Sequence, residues 1–235
     1  MSYTIKRSKR RTLAIKISAG EVLVHAPMRM PESTIAAFVS AKQTWITDHV
    51  ERQRQLLQAL PQRQWCSGER LRWLGEPLTL QIFAAPRNQV SYQQQQLQLG
   101  ISSRSRAQTK VPQLVQQWYQ QQAQQWLDVF FANWPANHAL QPKCWSVGSF
   151  RSKWGHCTRA GELRFSWKLW LAPEWVVTDV VLHELCHLQQ FNHSAQFWQL
   201  VKRYAPNHDR SDQWLRQHGL TVLNDAYLDY IEPTD

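Results

Sequence analysis

Acidic residues, glycine, methionine and cysteine are all scarce in this chain, and each shortage excludes a class of protein. Only eight glycines occur in 235 residues and they do not cluster, so a glycine-rich phosphate loop is absent. The four cysteines, Cys66, Cys144, Cys157 and Cys186, show no CxxC spacing, which argues against a zinc ribbon or a disulfide scaffold. No apolar run approaches the ~20 residues needed to span a bilayer as a helix. The first 20 residues are basic but contain no apolar stretch of the signal-peptide kind. Reduced thiols in a cytoplasmic protein with no membrane partner are therefore the expectation.

Acids number 17 against 27 Lys and Arg, and the imbalance is uneven along the chain. Residues 1–120 carry 17 bases and 6 acids, whereas residues 121–235 carry 10 and 11. Six bases fall within the first 16 residues: Lys6, Arg7, Lys9, Arg10, Arg11 and Lys16. Such a stretch is either the solvated face of a strand or a patch that attracts nucleic acid. Lys6, Arg7, Lys9, Arg10 and Arg11 are accordingly the candidate nucleic-acid contacts.

What is present in abundance is histidine with the right spacing. His183-Glu184-Leu185-Cys186-His187 is followed by His193. With nine His and nine Glu in the chain, an HExxH is expected by chance roughly 0.01 times. On a helix, positions i and i+4 share a face, so His183 and His187 can aim at one cation while Glu184 polarises a water beside it. A catalytic zinc takes three protein ligands and keeps one position open. The third should arrive after the helix ends, because i+7 and i+8 lie too far along the axis. His193 suits this, with Asn192 tolerating the left-handed conformation that ends helices. His208, Asp209 and Asp212 are rival third ligands that need a longer return.

Periodicity supplies the frame. Thr12 to Val24 alternates as a two-stranded hairpin around Ala19-Gly20, and Glu32 to Leu60 has helical spacing. Leu71–Leu74, Leu78–Phe83 and Gln89–Leu99 are predicted strands. The glutamine-rich segment from Gln113 carries Leu114, Trp118, Trp126 and Phe130 at multiples of four, which predicts a Gln-coated amphipathic helix with an aromatic core stripe. Cys144–Phe150 and Leu163–Leu171 are predicted strands, the latter a possible edge for pairing with an extended peptide. A helix then follows Pro173 and carries the histidine motif, with further helices at Ala195–Tyr204 and around Asp209–Gln217. The predicted class is α+β. A basic β-rich region with one long helix, 1–105, precedes a minimal zincin-like domain, 106–235, of antiparallel strands plus the HExxH helix.

The ten-residue spacing from first to third histidine is shared with metzincin peptidases, but those place Gly where this chain has Gln190. They also need a methionine turn downstream, and the methionines here are Met1, Met28 and Met30. The chain instead resembles the YgjP-like metal-dependent hydrolases, relatives of the SprT-like and WLM zinc proteases. The resemblance rests on His183–His187, Asn192-His193-Ser194, Phe197-Trp198 and the segment Arg151-Ser152-Lys153-Trp154-Gly155-His156-Cys157 with its following Gly161. Arg7–Leu13, Val24–Pro27, Trp45-Ile46 and Trp118-Tyr119 extend it over nearly the whole chain. His156 departs from the usual serine, and Ser166-Trp167 from the usual Leu-Asn.

This resemblance implies a zinc-dependent hydrolase of the metallopeptidase type, with His183, His187 and His193 on Zn2+ and Glu184 as the base activating the zinc-bound water. That assignment agrees with the residue chemistry, since zinc lowers the pKa of its water to about 7. Arg151, Trp154, His156, Tyr204 and His208 are candidate substrate contacts, and all but Trp154 are also candidate oxyanion donors. Family members have also been described as nucleotide (UTP) pyrophosphatases, so the same site acting on a nucleotide is an alternative substrate reading. A third possibility is a nucleic-acid-associated protease in which the hairpin binds DNA or RNA.

Overall fold

The computed structural model describes residues 2–18, 20–59, 63–150 and 153–223. They form an α+β protein whose contacts divide into two compact units, Met1–Gln62 and Arg63–Asp235.

In the first unit the hairpin is joined by a strand that periodicity did not suggest. β1 (Thr4–Ser8) pairs parallel to β3 (Glu21–Pro27), and β2 (Ala14–Ser18) pairs antiparallel on the other side. Gly20 takes φ +75° in the β2–β3 turn, a conformation that L side chains rarely adopt. Val22, Val24 and Ala26 face Ile35, Val39, Ile46 and Val50 in one core cluster. The single long helix expected over 32–60 is two: α1 (Glu32–Ala41) and α2 (Gln43–Ala59). A continuous helix of that length would run ~40 Å, far past strands of five to seven residues. The break at Lys42 lets both halves bury apolar residues under one small sheet. Leu60, the expected last helical residue, lies outside the described set.

In the second unit, β4 (Arg70–Trp73), β5 (Glu76–Ala85), β6 (Gln89–Gln93) and β7 (Gln96–Ser102) form a sheet in the order β4-β5-β7-β6. The expected strand over 89–99 is thus two strands with a reversal. Gln94 and Gln95 both have positive φ, 49° and 60°, as a two-residue type I′ hairpin requires. The β4–β5 hairpin does the same with Leu74 and Gly75. Leu71, Leu78, Leu80, Leu97 and Leu99 pack with Val111, Val115 and Tyr119 of α3 (Ala107–Ala132), the predicted Gln-coated helix. The boundary expected at 105/106 therefore falls inside one unit, because the sheet's apolar face is buried on α3.

The strand expected over 163–171 is shorter. β10 (Glu162–Ser166) gives way to a 3-10 turn, Trp167–Leu171, in which every side chain except that of Lys168 is buried. β10 is also the central strand rather than an edge. It pairs parallel to β8 (Cys144–Gly148) and antiparallel to β9 (Gly155–Cys157), so the sheet is mixed and β9 is an edge. α4 (Glu174–Cys186), α5 (Ala195–Tyr204) and α6 (His208–Leu223) complete the unit. Pro173 caps α4 with φ −55° and ψ 147°, and Val177, Val181 and Leu185 bury against α3 residues Ala123 and Leu127. No helix among the described residues is long and apolar enough to cross a membrane.

The two glutamines of the β6–β7 turn pay a left-handed conformational penalty that Asn-Gly does not. Gln94→Asn with Gln95→Gly should raise stability by about 1 kcal/mol, read as a higher Tm. An unchanged or lower Tm would contradict the I′ assignment.

Candidate metal centre

Local helix geometry does most of the assembly. His183 sits in the last turn of α4 and His187 is its C-cap, so their rings lie 5.1 Å apart on one face. The chain then turns through residues 188–192, and the Ser194 hydroxyl accepts the Phe197 amide to start α5. Asn192 is not left-handed, contrary to expectation; its carbonyl instead accepts the Ser194 amide at 2.8 Å. His193 is thereby held between two helices. Donor atoms of His183, His187 and His193 all lie within 4.8 Å of one another.

These three residues fit a tetrahedral metal. His183 Nε2 and His193 Nε2 are 3.3 Å apart. Two ligands at zinc–nitrogen distances of about 2.05 Å and a tetrahedral angle would be about 3.3 Å apart. The Gln190 carbonyl lies 2.9 Å from His187 Nδ1, and a carbonyl only accepts, so this nitrogen carries the proton and Nε2 is left for coordination. Burial, followed by His208, His187 and His193, pushes the His183 pKa down to about 3. His193 is lowered as well, mainly by burial. Neutral imidazoles are the form a metal needs.

Glu184 is 8% exposed, and burial pushes its carboxyl up to about 7, against the opposing pull of the Cys157 backbone N–H and Lys153. That N–H explains the Trp-Gly-x-Cys segment. Trp154 pairs with Ser166 and Thr158 with Glu162, so in an antiparallel ladder residues 155 and 157 turn their backbone groups to the outer edge. One of those groups, the Cys157 amide, is what Glu184 accepts from. Gly155 makes the approach possible, since a Cβ there would lie 2.9 Å from Glu184 Cγ and 2.9 Å from Phe165 Cδ1. Trp154 packs against Gly219 of α6, where a Cβ would lie 3.0 Å from its ring.

The remaining candidates separate clearly. His208 lies beside the cluster, its ring stacked on that of His183 at 5.0 Å and 26°. Its Nδ1 is 2.8 Å from an oxygen of Asp179, which is 4% exposed and one turn before His183 on α4. That hydrogen bond raises the His208 pKa. Asp179 escaped the sequence reading; the available signal was an acid inside the apolar run Val176–Leu182. His156 sits on β9, its ring against Phe150, with its pKa lowered by burial and by Lys153. Tyr204 packs on His138 instead. Asp212 pairs with Arg216 at 2.6 Å. Asp209 lies in the first turn of α6, outside the three-histidine group. Arg151 lies outside the described residues. The four cysteines are free, and burial drives the Cys157 and Cys186 thiols up to about 11 and 12.

Two histidines on one helix turn, a third from the next loop and a buried carboxylate between helix and edge strand suit a metal-dependent hydrolase. Residues 11–218 match the family YgjP-like, metallopeptidase domain, and the chain belongs to that family. No curated protein and no solved structure matches it.

Glu184 makes the metal-free protein pH-sensitive. A carboxyl raised to about 7 in the fold but near 4.5 when unfolded stabilises below pH 4.5 and loses that contribution as pH rises to about 7. Glu184→Gln should therefore leave metal-free stability unchanged near pH 4 and increase it by about 2 to 3 kcal/mol at pH 8. Denaturant unfolding of the metal-free protein at the two pH values checks this; equal effects at both would refute it.

Proposed function

We propose that the protein is a zinc metallopeptidase that holds an extended polypeptide along β9 and uses Glu184 as its general base. His183, His187 and His193 would hold the ion. When bound, zinc supplies a Lewis acid that acidifies water and polarises a carbonyl oxygen.

The observation that carries the reading is the placement of Glu184: buried, near-neutral in pKa, and hydrogen-bonded to the backbone of an edge strand. A base poised near pH 7 takes a proton at little cost and gives it back readily. Glu184 accepts a proton from the attacking water as oxygen bonds to the carbonyl carbon. It then delivers that proton to the amide nitrogen as the C–N bond breaks, leaving a carboxylate and an amine. Gly155 and the Cys157 carbonyl offer outward backbone groups with which an extended chain can pair. His208, oriented through Nδ1 by Asp179 and stacked on His183, would contact the reacting carbonyl group. Trp198, 44% exposed and packed on His193 and His208, offers an apolar wall for a substrate side chain, and Phe191 is 52% exposed nearby in sequence.

Nucleotide hydrolysis is less well supported. A polyphosphate needs several cations, and three on the flanking elements are already engaged: Arg164 with Glu162, Arg210 over Trp175, Arg203 over Tyr204. A cytoplasmic location agrees with the four free thiols.

Zinc-loaded protein should cleave members of an unstructured peptide library and leave nucleoside triphosphates intact. Glu184→Gln should lower turnover at least about 100-fold while keeping one zinc per chain, and His193→Ala should lose the zinc. Triphosphate hydrolysis without peptide cleavage would replace the substrate assignment, and undiminished Glu184→Gln activity would refute the mechanism.

A further inference from the structure

The first unit separates its charges by layer. Residues 2–27, the sheet layer, hold six bases and one acid, Glu21. Residues 31–59, the helical layer, hold Lys42, Arg52 and Arg54 against Glu32, Asp48 and Glu51. The unit's excess positive charge thus sits almost wholly on its sheet.

Strand alternation then decides which of those bases face outward. Ile5, Ile15, Ile17, Val22 and Val24 belong to the core cluster beneath the sheet. Lys6 is paired with His25, and Lys16 with Leu23, so both lysines project from the opposite face on either side of β3. They are two strand spacings apart, ~10 Å across the sheet. Lys9 and Arg11 are exposed on the β1–β2 connection. Arg10 Nε is buried with no hydrogen-bond partner among the described residues, a donor that an anionic oxygen would satisfy. Arg7 does not belong to this set. Its Nη1 donates to the carbonyls of Pro27, Met28 and Met30 at 3.3, 3.3 and 2.7 Å, and Nη2 lies 4.0 Å from Glu32. It is a structural cation that ties β1 to the β3–α1 connection.

We infer that this outer sheet face, Lys6, Lys16 and His25 with Lys9, Arg10 and Arg11 at its tip, binds the phosphate backbone of double-stranded nucleic acid without reading sequence. A fixed array of cations with hydroxyl donors from Thr4 and Ser8 suits phosphate oxygens. The face presents no Phe, Tyr or Trp on which unstacked bases could lie, which disfavours single strands. Its only outward aliphatic side chain of size, Leu23, is half-buried and unsuited to membrane insertion. The inference is independent of the metal centre.

Anisotropy titration of the full chain with a labelled duplex of about 20 base pairs over about 50 to 200 mM salt tests it. Four exposed cations predict a log–log salt slope of about −3 to −4. Lys6→Glu with Lys16→Glu should weaken binding about 10-fold or more and flatten the slope by about 2. Lys42→Glu with Arg52→Glu changes net charge equally on the helical layer and should leave affinity within about 2-fold. Melting curves of each variant confirm folding. Equal losses from both pairs, tighter binding to single strands, or preference for polyglutamate or for phosphatidylserine vesicles would overturn it.

Discussion

The candidate site depends on burying one carboxylate, Glu184, beside three imidazoles without pairing it to a cation at close range. A carboxylate taken from water must be compensated or protonated. Here compensation is partial: one backbone amide from Cys157 and the field of Lys153, against a larger desolvation. The group ends near pH 7, where a general base works best. Gly155, the edge position of β9 and the fit of Trp154 over Gly219 all serve this one contact between strand and helix.

α4 can meet that demand because its two ends do different work. Its N-terminal half buries Val176, Val177, Val180 and Val181, which fix it in the core. Its last turn and C-cap carry His183, Glu184 and His187. Asp179 is the exception within the apolar half, and its partner His208 arrives from α6 through a connection of only three residues, 205–207. A buried acid with one strong partner ties two helices together beside the three histidines, so removing either side leaves a costly remainder.

Legibility from sequence followed the range of the interactions. The helical registers of α3, α4 and α5 were readable because amphipathic spacing is local, and so was the residue set of the three-histidine cluster. The strands were read less well. Gln89–Leu99 concealed a reversal because its turn residues are glutamines, not the Asn-Gly that normally announces one. β1 was invisible because its partner is the far strand β3, and a five-residue strand with four polar positions has no signature of its own. The long helix over 32–60 was split by the size of the sheet it covers, a constraint no window of residues contains. The reversal after His187 was expected to use a left-handed Asn192, yet a serine cap and ordinary turns accomplish it.

By itself the sequence determined which residues could bind a metal and which could act as base, since i and i+4 spacing on a helix is fixed by backbone geometry alone. It also determined that excess positive charge lies in the first half of the chain. Only the tertiary structure decided that β9 is an edge strand, that β10 is central, and that Glu184 meets the Cys157 amide. It alone brought His208 onto Asp179 and turned Arg7 inward while leaving Lys6 and Lys16 outside. These outcomes depend on which distant segments share a sheet or a core, and that is settled by the collective burial of apolar surface rather than by any local pattern.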